Sequence, residues 1–170
     1  MYYIITIAAS LLLAYFFVDW KNWLNYYPTI QFYIICNMLY NFIFYNHTLW
    51  AFNPSTPWLN HTLMDITFSF IIIPTLLMIY LRYTPKELKW KFAYIIAWVS
   101  LFTIVEFLFN KKGLFIHANG WEIHNSGIFN AIMFTILGIH LKKPLIAILL
   151  SIPIVLLLLY FHHPSFGDLK

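Results

Sequence analysis

The chain has 170 residues, of which 62% are hydrophobic, 21% aromatic and only 9% charged, with a formal net charge of +4. Soluble domains carry roughly a quarter charged residues, so this composition excludes an ordinary soluble domain and points to a polytopic protein whose main partner is the lipid bilayer. The single cysteine, Cys36, sits in an apolar run and excludes both an internal disulfide framework and a thiolate metal site. No basic stripe with interleaved aromatic residues stands outside the apolar segments, so no nucleic-acid partner is expected.

Six apolar stretches are predicted as transmembrane helices: 2–18, 28–45, 62–82, 90–109, 125–141 and 144–161. Each approaches the ~20 residues that cross a hydrocarbon core of ~30 Å. The first begins with no basic residue before it and lacks the positive region of a secretory signal, so it reads as a retained helix. The sequence Asp19-Trp-Lys-Asn-Trp separates the first two spans, and Pro28 suits the first turn of the second. A long polar segment, NHTLWAFNPSTPWLNHTL, joins the second span to the third and carries Asn-His-Thr-Leu at both ends. At its first end Asn46 suits the left-handed conformation favoured where a helix stops. At its second end Thr62-Leu-Met-Asp65 matches a capping box. Both copies also match the glycosylation sequon, a pattern common by chance.

The segment from Arg82 to Lys91 separates the third and fourth spans. Lys142-Lys143-Pro144 makes a tight hairpin between the last two, and Pro74 and Pro153 are expected to kink their helices. The whole reads as one all-α domain, a bundle of about six transmembrane helices.

Basic residues set the orientation. With both termini extracytoplasmic, the inner connections hold Lys21, Arg82, Lys86, Lys89, Lys91, Lys142 and Lys143, and the outer ones only Lys111, Lys112 and Lys170. Trp20, Trp23, Tyr26, Tyr27, Tyr83 and Trp90 then form an inner aromatic belt; Trp50, Trp58, Trp121 and Tyr160 form an outer one. The same topology puts His47, His61, His117, His124, His162 and His163 at the outer face and His140 at the inner end of a span.

Two carboxylates fall inside spans, where an acid costs ~2.5–3.5 kcal/mol at mid-bilayer and less near an interface. The third span runs inward and the fourth outward, so Asp65 and Glu106 lie at one depth, about a turn below the outer face. Each belongs to a polar stripe at helical spacing: His61, Asp65 and Ser69 on the third span; Ser100, Thr103, Glu106 and Asn110 on the fourth. Asn37 and Asn41 on the second, and Ser126 and Asn130 on the fifth, extend the set. Spans two to five are therefore expected to enclose a polar pocket that opens outward and includes Asn41, Ser69, Thr103 and Asn130. The first and sixth spans pack outside it.

His61 and Asp65 share a helical face, Glu106 reaches the same level, and His117, Glu122 and His124 stand above it. Imidazole and carboxylate ligands without a thiolate suit a divalent metal such as zinc, so His61, Asp65, Glu106, His117 and His124 are the candidate ligands. Asp65 and Glu106 are the candidate catalytic groups. Three readings stay open. One is a small binding, sensory or accessory protein that takes a polar solute or lipid. Another is a metal-dependent hydrolase or transferase at the outer face. The last is an ion- or proton-coupled transporter, for which a six-helix chain would form a homodimer to build two gates. Against all three, the acids can serve as a helix cap and as packing glue, with Glu106 reaching Lys111 or Lys112.

DWKNWLNYYPT, YNFIFYNHTLW, NHTLMD, IVEFL, HANGW and HLKKPLIAILLS occur in this order. Together they resemble an uncharacterised family of small multi-helix membrane proteins from spore-forming Gram-positive bacteria. The resemblance implies a bacterial plasma membrane and brings no activity, ligand or site residue.

Overall fold

The computed structural model describes residues 2–53 and 60–162 together with Gly167. Trp58, His163 and Lys170 therefore lie outside the described residues. Six helices form most of the described chain: α1 (Tyr2–Phe17), α2 (Tyr27–Ile43), α3 (His61–Tyr83), α4 (Leu88–Lys111), α5 (Ile123–His140) and α6 (Pro144–His162). Of these, α3, α4 and α6 are long and apolar enough to cross a membrane.

The prolines act where the sequence places them. Pro28 occupies the first turn of α2, and Pro144 opens α6 directly after the Lys142-Lys143 turn. Inside α3 the backbone widens to a π-helical turn over Phe68–Ile72, just before Pro74. A helical proline ring crowds the carbonyl four residues back and supplies no N–H. The wider turn accommodates both defects without breaking the helix.

The chain also contains a small antiparallel ribbon that the all-α expectation omits. Strand β1 (Trp50–Phe52) pairs with β2 (Phe115–His117) in the register Trp50–His117, Ala51–Ile116 and Phe52–Phe115. Its cause lies in the helix ends. After Lys111, Gly113 takes φ +68°, with its N–H on Asn110 O and the Leu114 N–H on Phe109 O. That closure is a Schellman motif, which turns the chain back over the bundle. Asn119 and Gly120, at φ +50° and +78°, make the next reversal. Around the ribbon, Asn53 N–H bonds Leu114 O, Ala118 N–H bonds Leu49 O, and the Asn119 amide reaches Thr48 O. The connections that follow α2 and α4 thus become one roof.

Packing divides the helices differently from the expected ring of four. The inner core joins α2, α3 and α5 through Ile30, Ile34, Leu77, Tyr80, Phe134 and Leu137. Tyr80 is fully buried and donates its hydroxyl hydrogen to Phe134 O at 2.9 Å. Beneath the roof, Phe44, Leu49 and Trp121 form a second core, with Tyr40, Trp50 and Phe129 packed against it. Trp50 stacks on Tyr40 at 4.0 Å at the edge of this core, and Trp121, only 4% exposed, is a core residue rather than a lipid-facing one. No residue of α4 is buried, although it carries Glu106. This helix lies at the edge, against α5 and β2, and presents Phe92, Ile96, Leu101, Ile104 and Leu108 outward. At the other edges α1 packs on α3 and α6 packs on α5.

Candidate functional site

Glu106 sits five residues before the end of α4, and the Schellman turn brings β2 back over it. His117 at the end of β2 consequently places Nε2 2.7 Å from Glu106 Oε1. The same carboxylate oxygen accepts a hydrogen bond from Ser126 Oγ, on the first turns of α5. Ser126 Oγ in turn accepts from Trp121 Nε1 at 2.8 Å. His117 Nε2 and Glu106 Oε1 share one hydrogen between them, and the imidazole can stand on either side of that bond. The result is a relay, Trp121 to Ser126 to Glu106, joined from above by His117. Four residues from two helices, a strand and a turn meet at one oxygen or one bond from it. Side-chain exposures of 17% for Glu106 and 13% for His117 leave the pair covered yet reachable.

The order of this relay limits its chemistry. A serine nucleophile needs a base that takes its proton and a third group that orients the base. Here the serine donates directly to the carboxylate, its own oxygen receives the indole N–H, and it is 4% exposed. The arrangement holds a carboxylate and an imidazole in a fixed geometry. It does not present Ser126 as a nucleophile.

Asp65 is placed differently. Asn60 caps α3, its side chain accepting from the Leu63 N–H at 2.7 Å, so the capping role expected of Thr62 and Asp65 belongs to Asn60. Asp65 Oδ2 instead lies 2.9 Å from His61 Nδ1 across one helical turn, with His61 half exposed. The left-handed conformation expected of Asn46 is not adopted: the described non-glycine residue with positive φ is Asn119. Thr48 closes that helix end by bonding Phe44 O.

Each acid therefore has its own histidine, and no hydrogen bond or ion pair among the described residues joins the two pairs. His124 faces Glu122 at 3.3 Å in an exposed contact. Among the described residues no three His, Cys, Asp or Glu side chains converge as metal ligands. The expected pocket residues are likewise distributed. Asn37 donates to Ser69 at 2.7 Å, linking α2 to the π turn of α3. Asn41 donates back to Asn37 O within α2. Asn130 is buried on α5, and Thr103 Oγ1 is buried on α4 without a partner. Lys111 covers the Phe107 ring at 4.8 Å and leaves Glu106 to His117.

A third polar contact, at His140, lies toward the other end of the bundle. His140 is 6% exposed, its Nδ1 is 3.0 Å from Thr29 Oγ1, and Phe32 stacks on its ring at 4.3 Å. The available signal was Thr29 at helical spacing from Phe32 and Tyr33, one turn into α2. Comparison with models of known protein families, with curated proteins and with solved structures finds no match.

Proposed function

We propose that the chain is a multi-pass protein of a bacterial plasma membrane, with six spans and both termini outside. In this reading it is a small binding, sensory or accessory protein, and its polar site is the Glu106–His117 pair beneath the outer ribbon. The observation that carries the reading is the convergence of Glu106, His117 and Ser126 under a roof made by both outer connections. Ionisable side chains at the edge of an apolar bundle are costly to keep and commonly mark ligand or proton sites. A carboxylate–imidazole pair can hold a small polar or cationic group and exchange a proton with it. The family resemblance and the seven-to-three bias of basic residues support the setting.

Two measurements test this. In a Cys36→Ser background, a membrane-impermeant maleimide should label His124→Cys on intact cells and Lys86→Cys only after permeabilisation. The reverse pattern overturns the orientation. Metal analysis of the purified protein should find no stoichiometric ion. Stoichiometric zinc that disappears in Glu106→Gln would replace the binding reading with the metal-dependent hydrolase.

A further inference from the structure

A shallow open cleft of about 480 Å³ lies at the start of α4, lined by Pro85, Lys86, Glu87, Trp90, Ala93 and Tyr94. It is at the opposite end of α4 from Glu106 and is separate from the site above. We propose that this cleft binds an anionic phospholipid of the inner leaflet, an inference that rests on the membrane reading and orientation just given.

The connecting segment from Arg82 to Lys91 holds four basic residues, Arg82, Lys86, Lys89 and Lys91, against one acid, Glu87. Two of the cations are engaged. Arg82 donates to Phe17 O at 2.6 Å and covers the Tyr83 ring, and Lys89 lies over Trp90. Lys86, on the cleft wall, is exposed and makes no ion pair among the described residues. A phosphodiester seated there meets the ammonium of Lys86 in a field of net positive sign. Glu87 disfavours the anion, so its removal should tighten binding.

The rest of the cleft suits the remainder of a lipid. Trp90 is 59% exposed, and its amphipathic indole matches the depth of the ester groups. Tyr94, on the cleft wall, has spent its hydroxyl on Tyr80 O and stacks its ring on Tyr80 at 5.5 Å, so it supplies a fixed apolar wall. Past Ala93 the outward face of α4 continues with Ile96, Leu101 and Ile104, a track for an acyl chain.

The test reconstitutes the full chain into nanodiscs of mixed phosphatidylcholine and phosphatidylglycerol and counts retained lipid by native mass spectrometry. Phosphatidylglycerol should be enriched on the wild type. Lys86→Gln should lower that enrichment about fivefold, as expected for ~1 kcal/mol per basic residue. Ala93→Trp, which fills the cleft, should lower it as well, Glu87→Gln should raise it, and Lys142→Gln should leave it unchanged. No enrichment, or equal losses in Lys86→Gln and Lys142→Gln, would overturn the site. A chain that stays with lipid but fails these arms sinks the cleft alone; one that never enters a bilayer sinks the membrane reading too.

Discussion

Glu106 shows how one side chain acquires a role from its neighbours. Its Oε1 receives both Ser126 and His117. Truncation leaves the covered Ser126 hydroxyl and His117 ring nitrogen without their partner, and a buried polar group left unpaired costs about 1–3 kcal/mol. Glu106→Ala should therefore lower stability in detergent, and so should Ser126→Ala, which removes the bonds to both Glu106 and Trp121. The double variant should cost less than the sum of the two, because they share a bond. Chemical denaturation of the four proteins checks this, and strict additivity would show that the network is not coupled. The sequence placed Glu106 and Asp65 near one face through span polarity alone. It did not separate them, because the partner of each depends on local folding: a turn of the same helix for Asp65, a returning strand for Glu106.

Among the elements, the ribbon carries the largest departure from expectation. Its strands are three residues each, below the length at which alternation is informative. The surrounding signals were present as Gly113 after a lysine-ended helix and as the Asn119-Gly120 pair. What joins the strands is long-range. Tyr40 pins the first, its hydroxyl accepting the N–H groups of Leu49 and Trp50 and donating to Trp50 O. Tyr40→Phe should destabilise by about 2–3 kcal/mol through orphaned backbone groups, and amides of residues 49–52 should lose hydrogen-exchange protection first. The register can be checked directly. With Cys36→Ser, cysteines at Ala51 and Ile116 face each other and should form a disulfide on mild oxidation, seen as a reductant-sensitive gel shift. Cysteines at Ala51 and Leu114 should not.

At the scale of the whole molecule, an edge helix reads its solvent. Ile104 on α4 is 57% exposed. In water, lysine at that position would change little. At mid-bilayer a lysine costs ~2.5–3.5 kcal/mol on insertion scales, and at Ile104, two residues deeper than Glu106, part of that cost remains. Ile104→Lys should therefore reduce the membrane-inserted fraction in a glycosylation-mapping assay, whereas Lys86→Gln should not. Equal insertion of Ile104→Lys and wild type would place that face outside the hydrocarbon.

Hydrophobic runs, prolines and charge breaks were enough to locate all six helices to within a few residues, because helix formation in an apolar segment is a local matter of length and backbone satisfaction. They also marked the Lys142-Lys143-Pro144 turn and the helix starts. Which helices meet was decided only by the fold. Polar stripes on neighbouring segments look alike in sequence, whether they converge on one pocket or pair off two by two. The choice depends on crossing geometry and on where the loops return. Here a glycine-closed helix end folds one connection onto the other and gives Glu106 its histidine. Asp65 keeps its own, one turn back on the same helix.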